Sequence, residues 1–409
     1  MNIVIAPDSF KGNLTAMQVA QAIEQGVRRV LPDADCVVIP MADGGEGTVQ
    51  SLVDATGGRF VHRPVIGPAG APVNARYGIL KNGITAVIEM AEASGLPLVK
   101  GTDRNPLRTT TFGTGELIVD AMKRGARRII VGIGGSATND GGAGMAQALG
   151  VVFTDERGRA INGHAAGGML GRIAHINVSG IHKRLAQTAI TVACDVDNPL
   201  CGPRGAAHVF GPQKGATPAM VKTLDGNLRY FGGLIKNELG VDVRNLKGAG
   251  AAGGLGGGLV AFCNAELESG VDIVIGATGL REKLSHADLV ITGEGRVDFQ
   301  TAFGKTPAGV ARAAKQFGVP VVAIGGGLGD DARGVFAHGI DALASAIARD
   351  MSLEEALAHA RTYIANAAER TLRLILVGQK LAVKGRARRS PALRRQSGVR
   401  SGTGTKSRK

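Results

Sequence analysis

Short β-branched runs that empty into glycine-rich turns recur along this chain, and most of those turns open a segment with helical spacing. That alternation restricts the fold to the α/β class with largely parallel strands, because apolar runs flanked by helices are covered on both faces. The clearest case is Arg128–Gly144. Ile129, Ile130, Val131 and Ile133 read as a buried strand, and Gly134, Gly135, Ser136, Thr138, Asn139 and Asp140 form the loop after it. Glycine lets backbone N–H groups approach a ligand closely. Ser136 and Thr138 add hydroxyls, and Asp140 adds a charge that suits a hard cation or a proton. A bare turn needs one or two glycines, fewer than stand here.

The same segment offers a rival reading. Gly132–Ala137 fits the Gly-x-Gly-x-x-Gly/Ala fingerprint of a nicotinamide-dependent dehydrogenase, with Asp155 or Glu156 following a strand at Val151–Phe153. Against it, the intervening segment is too short and glycine-rich for a crossover helix, and Asp140 would sit beside the pyrophosphate.

Elsewhere the pattern predicts strands at Asn2–Ala6, Cys36–Ile39, Thr85–Ile88, Thr191–Cys194, Ala287–Ile291 and Val319–Ile324. Thr15-x-x-Gln18 is a capping box that starts a helix over about 15–30, and Thr217-Pro218 starts another that reaches about Leu239. Thr109–Gly115 is a hydroxyl-rich loop suited to phosphate that opens a helix to about Gly125. Gly248–Gly258 is expected to open a helix over Leu259–Glu268, and Ser352-x-x-Glu355 a last helix ending near Leu376. Gly304-Lys305-Thr306 resembles the end of a Walker A loop, but Phe299 stands where its first glycine belongs.

With 409 residues the chain is long enough for two domains. The net charge of +14 misleads, since eleven Lys and Arg and no acid lie from Lys380 to Lys409, leaving +3 for the rest. That tail, 379–409, reads as disordered, and as an unselected extension rather than a nucleic-acid or anionic-membrane arm. Cys36, Cys194, Cys201 and Cys263 form no Cys-x-x-Cys, so neither a structural zinc nor a disulfide framework is expected. No apolar stretch approaches a membrane span, and the N-terminal apolar run is too short for a signal peptide, so a soluble cytoplasmic protein is expected. Oligomeric state is not legible.

Acids stand at almost every strand end: Asp8, Asp43, Asp140, Asp195 with Asp197, and Glu294 with Asp298, with Lys11 and Lys305 among them. Open α/β sheets bind ligands beyond the carboxyl ends of their strands. Crowded unpaired carboxylates repel one another and lift their own pKa values, which a divalent cation or a cationic ligand group relieves. Oxygen ligands favour Mg²⁺. Mg²⁺, lysines and glycine amides are the parts that position a transferring phosphoryl group, with one carboxylate taking the proton of the attacking hydroxyl.

Ala6-Pro-Asp-Ser-Phe-Lys-Gly12, Met41-Ala-Asp-Gly-Gly-Glu-Gly47, Gly134-Gly-Ser-Ala-Thr-Asn-Asp-Gly-Gly142, Cys194-Asp-Val-Asp-Asn-Pro-Leu200, Gly293-Glu-Gly-Arg-Val-Asp298 and Gly304-Lys-Thr-Pro307 resemble, in order and spacing, the type-1 glycerate kinases of bacteria. The resemblance spans residues 1 to about 378. It implies ATP-dependent phosphorylation of D-glycerate at the 2-hydroxyl, in glyoxylate or sugar-acid breakdown, with ATP and Mg²⁺ as cofactors. It also implies two α/β domains flanking an active-site cleft, one discontinuous over 1–65 and 285–378, the other inserted over 66–284. Within that frame, strand-end position makes Lys11, Asp43, Asp140, Asp195 and Glu294 the catalytic candidates, with Asp43 or Asp140 the base. Asp8, Ser9, Lys11, Gly134, Gly135, Ser136, Thr138, Asn139, Arg296 and Lys305 contact phosphate or glycerate. Asp195, Asp197 and Asp298 hold the metal.

Overall fold

The computed structural model of the chain describes residues 1–302 and 305–394, with the side chains of its last helix described as far as Lys384. Two sheets make the framework. The first has five parallel strands in the order Ala342–Ser345, Val321–Leu328, Leu289–Val297, Asn2–Ile5, Asp35–Val38. The chain leaves Asn2–Ile5 toward one edge and returns on its other side at Leu289–Val297. The crevice between these two strands is the switch point where such sheets bind ligands.

The second sheet runs Glu266–Glu268, Ala189–Ala193, Arg128–Gly132, Thr85–Glu89, Pro72–Ile79, Arg59–Ile66. Its first four strands are parallel, and the last two form an antiparallel hairpin on that parallel set.

Three cores hold this together. On the outer face of the five-stranded sheet, Val19, Ile23 and Val27 of the Ala16–Arg28 helix meet Ile364, Ala368 and Leu372 of the C-terminal helix over Ile3, Ile5 and Ile291. Between the sheets, the helices Thr48–Thr56 and Gly270–Thr278 bury Leu52, Val53, Val271 and Val274 against Val4 and Val290 on one side and Val87 and Ile130 on the other. The largest core lies in the six-stranded half, around Tyr77, Leu117, Phe153, Leu228 and Phe231.

The Thr15 capping box is present, with Gln18 N donating to Thr15 Oγ1 and Thr15 N to Gln18 Oε1. Thr217 caps the Pro218–Leu239 helix as expected. Four readings need correction. The helix expected over Leu259–Glu268 starts earlier, at Leu255, and stops at Cys263, because Asn264 turns left-handed (φ 51°), and Glu266–Glu268 is a strand. Leu289–Val297 runs three residues past Glu294, so that acid and Arg296 project from a strand rather than a loop. Val152–Thr154 pairs antiparallel with His175–Asn177 in a separate ribbon, and Asp155 accepts the amides of Arg157 and Arg159 within its own turn. Neither Asp155 nor Glu156 stands at the end of a strand beside the Gly132–Ala137 loop, so the dinucleotide reading loses the acid it relied on. Last, the tail expected to be disordered from 379 continues the helix Ala360–Arg394. As far as Lys384 its Leu, Ala, Lys and Arg are good helix formers and outweigh Gly378, whereas propensity does not account for its passage through Pro391. Residues 395–409, and Gly304 of the Walker-like segment, lie outside the described residues.

Candidate active site

The Asn2–Ile5 strand delivers Asp8, Ser9 and Lys11 to the switch point, and Leu289–Val297 delivers Glu294 and Arg296 beside them. Asp8 is buried. Its Oδ1 accepts the Ser9 amide and its Oδ2 the Thr306 hydroxyl, both at 2.6 Å. Thr306 begins the Thr306–Lys315 helix, so Asp8 is tied to a helix N-terminus. Burial, then the charge of Asp43, pushes Asp8 up to about 6 against Thr306, Ser9 and Lys11. Lys305 Nζ stands 3.6 Å from Glu294 Oε2. Glu294 Oε1 is buried without a hydrogen-bond partner, and burial raises this carboxyl although Thr301 and Lys305 oppose it. Arg296 pairs with Asp298 at 3.7 Å.

These groups form one wall of a cavity of about 750 Å³. The opposite wall is apolar and comes from Ile347, Met351, Leu353, Leu357 and Ile364, beyond the Ala342–Ser345 strand.

A second cavity, about 510 Å³, opens between the sheets. Lys11, Asp43, Gly44 and Gly45 face it from one side. Gly134, Gly135, Ser136, Asp195 and Lys214 face it from the other. Lys11 lines both cavities, and its Nζ lies 3.5 Å from Asp43 Oδ2. Burial works against the charge of Lys11, but Asp43, Asp8 and Glu294 together raise its pKa above the ordinary value.

The seam beside this cleft is glycine against glycine. A Cβ on Gly270 would lie 2.0 Å from the Asp43 carbonyl oxygen, and one on Gly44 would lie 2.9 Å from Gly270 Cα. Gly270 also donates its amide to Asp195 Oδ1 at 3.1 Å. Burial raises Asp195 against that amide, and Asp43 adds to the rise. Close backbone approach therefore fixes Asp43 and Asp195 on opposing sides of one cleft.

Several candidates from the sequence do not reach either cavity. Asp140 is fully buried and accepts four hydrogen bonds, from Thr111 N, Thr111 Oγ1, Gly142 N and Gly144 N. With its lone pairs so engaged it ties loops together, and a proton-accepting position at the cleft mouth does not match its place. Burial nonetheless raises it, against the Thr111, Gly142 and Gly144 donors. Thr138 and Asn139 turn inward beneath the loop and are also fully buried. Thr109, Thr110, Thr111 and Thr114, expected to face phosphate, are buried; Thr109 donates to the Ala137 carbonyl and Thr114 pairs with Ser94. Asp197 is 70% exposed and pairs with Lys247 at 3.5 Å, so it does not share a cation with Asp195. Asp298, by contrast, does line a cavity, the larger one, and is therefore apart from Asp195 in the inter-sheet cleft. Among the described residues no group of three or more His, Cys, Asp or Glu is arranged to hold a metal ion.

Lys214 escaped the sequence reading. Its only signal is the turn Gly211-Pro-Gln-Lys-Gly215, in which Pro212–Lys214 forms a 3-10 turn and Gly215 is left-handed (φ 90°). Lys214 is 2% exposed, and its Nζ donates to Ser136 Oγ and the Thr138 carbonyl, both at 2.7 Å.

The arrangement is a large cavity with a charged wall and an apolar wall, joined through one lysine to a smaller cleft lined by carboxylates and a buried amine. Comparison with known proteins shows what kind of enzyme carries it. The family model described as the glycerate kinase family matches residues 3–376. The chain belongs to that family. It is 56% identical to the glycerate kinase of Halalkalibacterium halodurans over 366 residues, which cover 90% of this chain and 96% of that one. It is 51% identical to the glycerate 2-kinase of Escherichia coli K12, covering 93% of this chain and 100% of the relative. A crystal structure described as that of a glycerate kinase 2 from Salmonella typhimurium LT2 superposes with a TM-score of 0.86 at 51% identity, covering 93% of this chain and 99% of that one. Glycerate kinase membership makes the chain an α/β phosphotransferase. The stretch 377–394, helical here, lies beyond the family match.

Proposed function

We propose that the chain transfers the γ-phosphoryl group of ATP to the 2-hydroxyl of D-glycerate, giving 2-phosphoglycerate and ADP, in glyoxylate or sugar-acid breakdown. The observation that carries this is the junction of the two cavities at Lys11 and Asp43. The larger cavity suits the nucleotide, with its apolar wall for the base and Lys11, Lys305 and Arg296 for the phosphates. The smaller cleft suits a small hydroxy acid. The two sheets then act as two lobes, with the acceptor between them.

The residues present fit a phosphate-bound Mg²⁺. Glu294 offers a buried, unpartnered carboxylate oxygen, and Asp8 and Asp298 line the same cavity. Mg²⁺ takes one or two carboxylates and completes its shell with phosphate oxygens and water, so no larger protein cluster is required. When bound it neutralises charge on the phosphates.

This chain's own groups do the rest. Lys11 reaches both ligands and balances the negative charge that builds between donor and acceptor. Asp43, held by Lys11 and the Gly45 amide at 3.0 Å, accepts the hydroxyl proton of the acceptor as the new O–P bond forms and ADP leaves. Asp195 faces the same cleft and orients the acceptor. Replacing Asp43 with Asn is expected to lower kcat about 100-fold or more with little change in the KM for ATP. A coupled ADP-release assay with D-glycerate and Mg²⁺ reads this. Phosphorus NMR of the product tests the regiochemistry, and a 3-phosphoglycerate signal alone would overturn the 2-hydroxyl assignment.

A further inference from the structure

A buried ammonium ordinarily sits against a carboxylate, because an unpaired charge away from water is costly. Lys214 breaks that pattern. It is almost fully buried, yet its two hydrogen-bond partners are neutral, the Ser136 hydroxyl and the Thr138 carbonyl. It forms no ion pair with a described residue. Once protonated, the amine has three donors, one more than these two bonds use, and the side chain lines the inter-sheet cleft. Lack of compensation shows in its acidity, since burial lowers it to about 7 and only Asp140 opposes the fall.

The cleft is polarised. Lys214, Ser136 and the exposed Gly134–Gly135 backbone line it from one sheet together with Asp195, and Asp43, beside Lys11, faces them from the other. A ligand complementary to both sides has an anionic end and a hydroxyl-bearing end. A polyphosphate would meet Asp43 and Asp195 as like charges, whereas hydroxyls would donate to them.

We propose that Lys214, with Ser136, is the group that binds the carboxylate of the acceptor and so makes the enzyme select a hydroxy acid over an uncharged polyol. The proposal rests on the acceptor occupying this cleft, as read above. The arriving carboxylate supplies the counter-charge that the protein withholds. Buried groups left unpaired by a ligand that lacks the matching end reject that ligand strongly. The loop after Arg128–Gly132 and the turn at Pro212–Lys214 thus set specificity, while Lys11 and Asp43 serve the transfer.

Lys214→Met keeps the side-chain length without the charge. It is expected to raise the KM for D-glycerate about 100-fold, the loss of a charge-assisted bond, and to leave the KM for ATP within about threefold. The preference in kcat/KM for D-glycerate over glycerol should shrink by a similar factor. Ser136→Ala should raise the KM for D-glycerate more mildly. An unchanged KM for D-glycerate in a folded Lys214→Met enzyme overturns the proposal, and so does a rise confined to the KM for ATP.

A measurement on the unaltered enzyme covers the case in which the variant fails to fold. Calorimetry of D-glycerate binding at pH 8, in buffers of differing protonation enthalpy, should show uptake of a large fraction of one proton as Lys214 becomes charged. The other titratable groups facing it are Asp140 beneath the loop and Lys11, Asp43, Cys194 and Asp195 around the cleft. Lys11 and Cys194 are raised above their ordinary values and already hold their protons at pH 8. D-glycerate binding no tighter than glycerol binding in the same calorimetry overturns the proposal. If the unaltered enzyme releases no ADP with D-glycerate, the functional reading fails instead, which is a separate result.

Discussion

Asp8 sits where the Asn2–Ile5 strand stops, and its raised pKa makes a claim about stability as well as chemistry. Its folded-state value is about 6, against an ordinary 3.8. The native state therefore holds an extra proton between about pH 4 and pH 6, and stability falls as pH rises through that window. Above it, the penalty of the buried charge is fully present. Asp8→Asn removes that penalty. The variant's gain in unfolding free energy should be larger at pH 8 than at pH 4 by about 3 kcal/mol, two pKa units at about 1.4 kcal/mol each. Urea denaturation at the two pH values checks it, and an equal gain at both would contradict the burial argument. The same residue shows what position in the sequence can reveal. Asp8, Ser9, Lys11, Asp43, Asp195 and Glu294 were found by standing at strand ends, and all of them line a cavity. Strand-end position does not tell which way a loop turns its side chains. Asp140, Thr138 and Asn139 share a loop with Gly134 and Ser136, yet they turn into the interior. Lys214 stayed hidden for the converse reason, because a lysine in a turn ordinarily points to water.

At the scale of elements, strands and caps were legible and their ends were not. The capping boxes and the β-branched runs are local signals, and they appear where the spacing puts them. Where a strand stops depends on its neighbours. Leu289–Val297 runs on because Val321–Leu328 pairs with it as far as Val297, through glycines that read as a turn. Helix packing tests this level. A Cβ on Gly26 would lie 2.1 Å from the Ala365 carbonyl oxygen and 2.8 Å from Ala368 Cβ, where the Ala16–Arg28 helix meets the C-terminal one. Alanine ordinarily gains about 1 kcal/mol over glycine within a helix. Here the obstacle is backbone, which cannot swing aside, so Gly26→Ala should be destabilising by about 1–3 kcal/mol net. A thermal melt showing a stabilised variant would mean the two helices part easily. Gly276, in the separate helix Gly270–Thr278 and with open space around its missing Cβ, is the control, and Gly276→Ala should be neutral or stabilising.

At the scale of the molecule, the chain divides into two sheets but does not divide its apolar interior in the same way. A cut near 65 and 285 would leave Leu52 and Val53 on one piece, and Val87, Ile130, Val271 and Val274 on the other, although all six belong to one core between the sheets. Neither piece covers that surface alone, and each would expose apolar area worth about 25 cal/mol for every Å². Shared burial couples the halves. Heat should therefore unfold residues 1–379 in one cooperative calorimetric transition, with equal calorimetric and van't Hoff enthalpies, rather than two. The fragment 66–284 expressed by itself should aggregate or bind a hydrophobic dye. The C-terminal extension enters the same argument from the other side. Leu374, Val377 and Leu381 of the last helix are largely exposed, whereas Ile364, Ala368 and Leu372 earlier in it are buried on the five-stranded sheet. Lys380–Lys384, the part beyond residue 379 whose side chains are described, is exposed, so removing residues 380–409 should leave the transition temperature and the turnover number unchanged. Removing residues from 360 onward strips the outer layer from Ile3, Ile5 and Ile291 and should unfold both sheets together. Two resolved transitions in the full chain, or a truncation at 360 that melts only the five-stranded half, would show that the sheets are held by separate interiors after all.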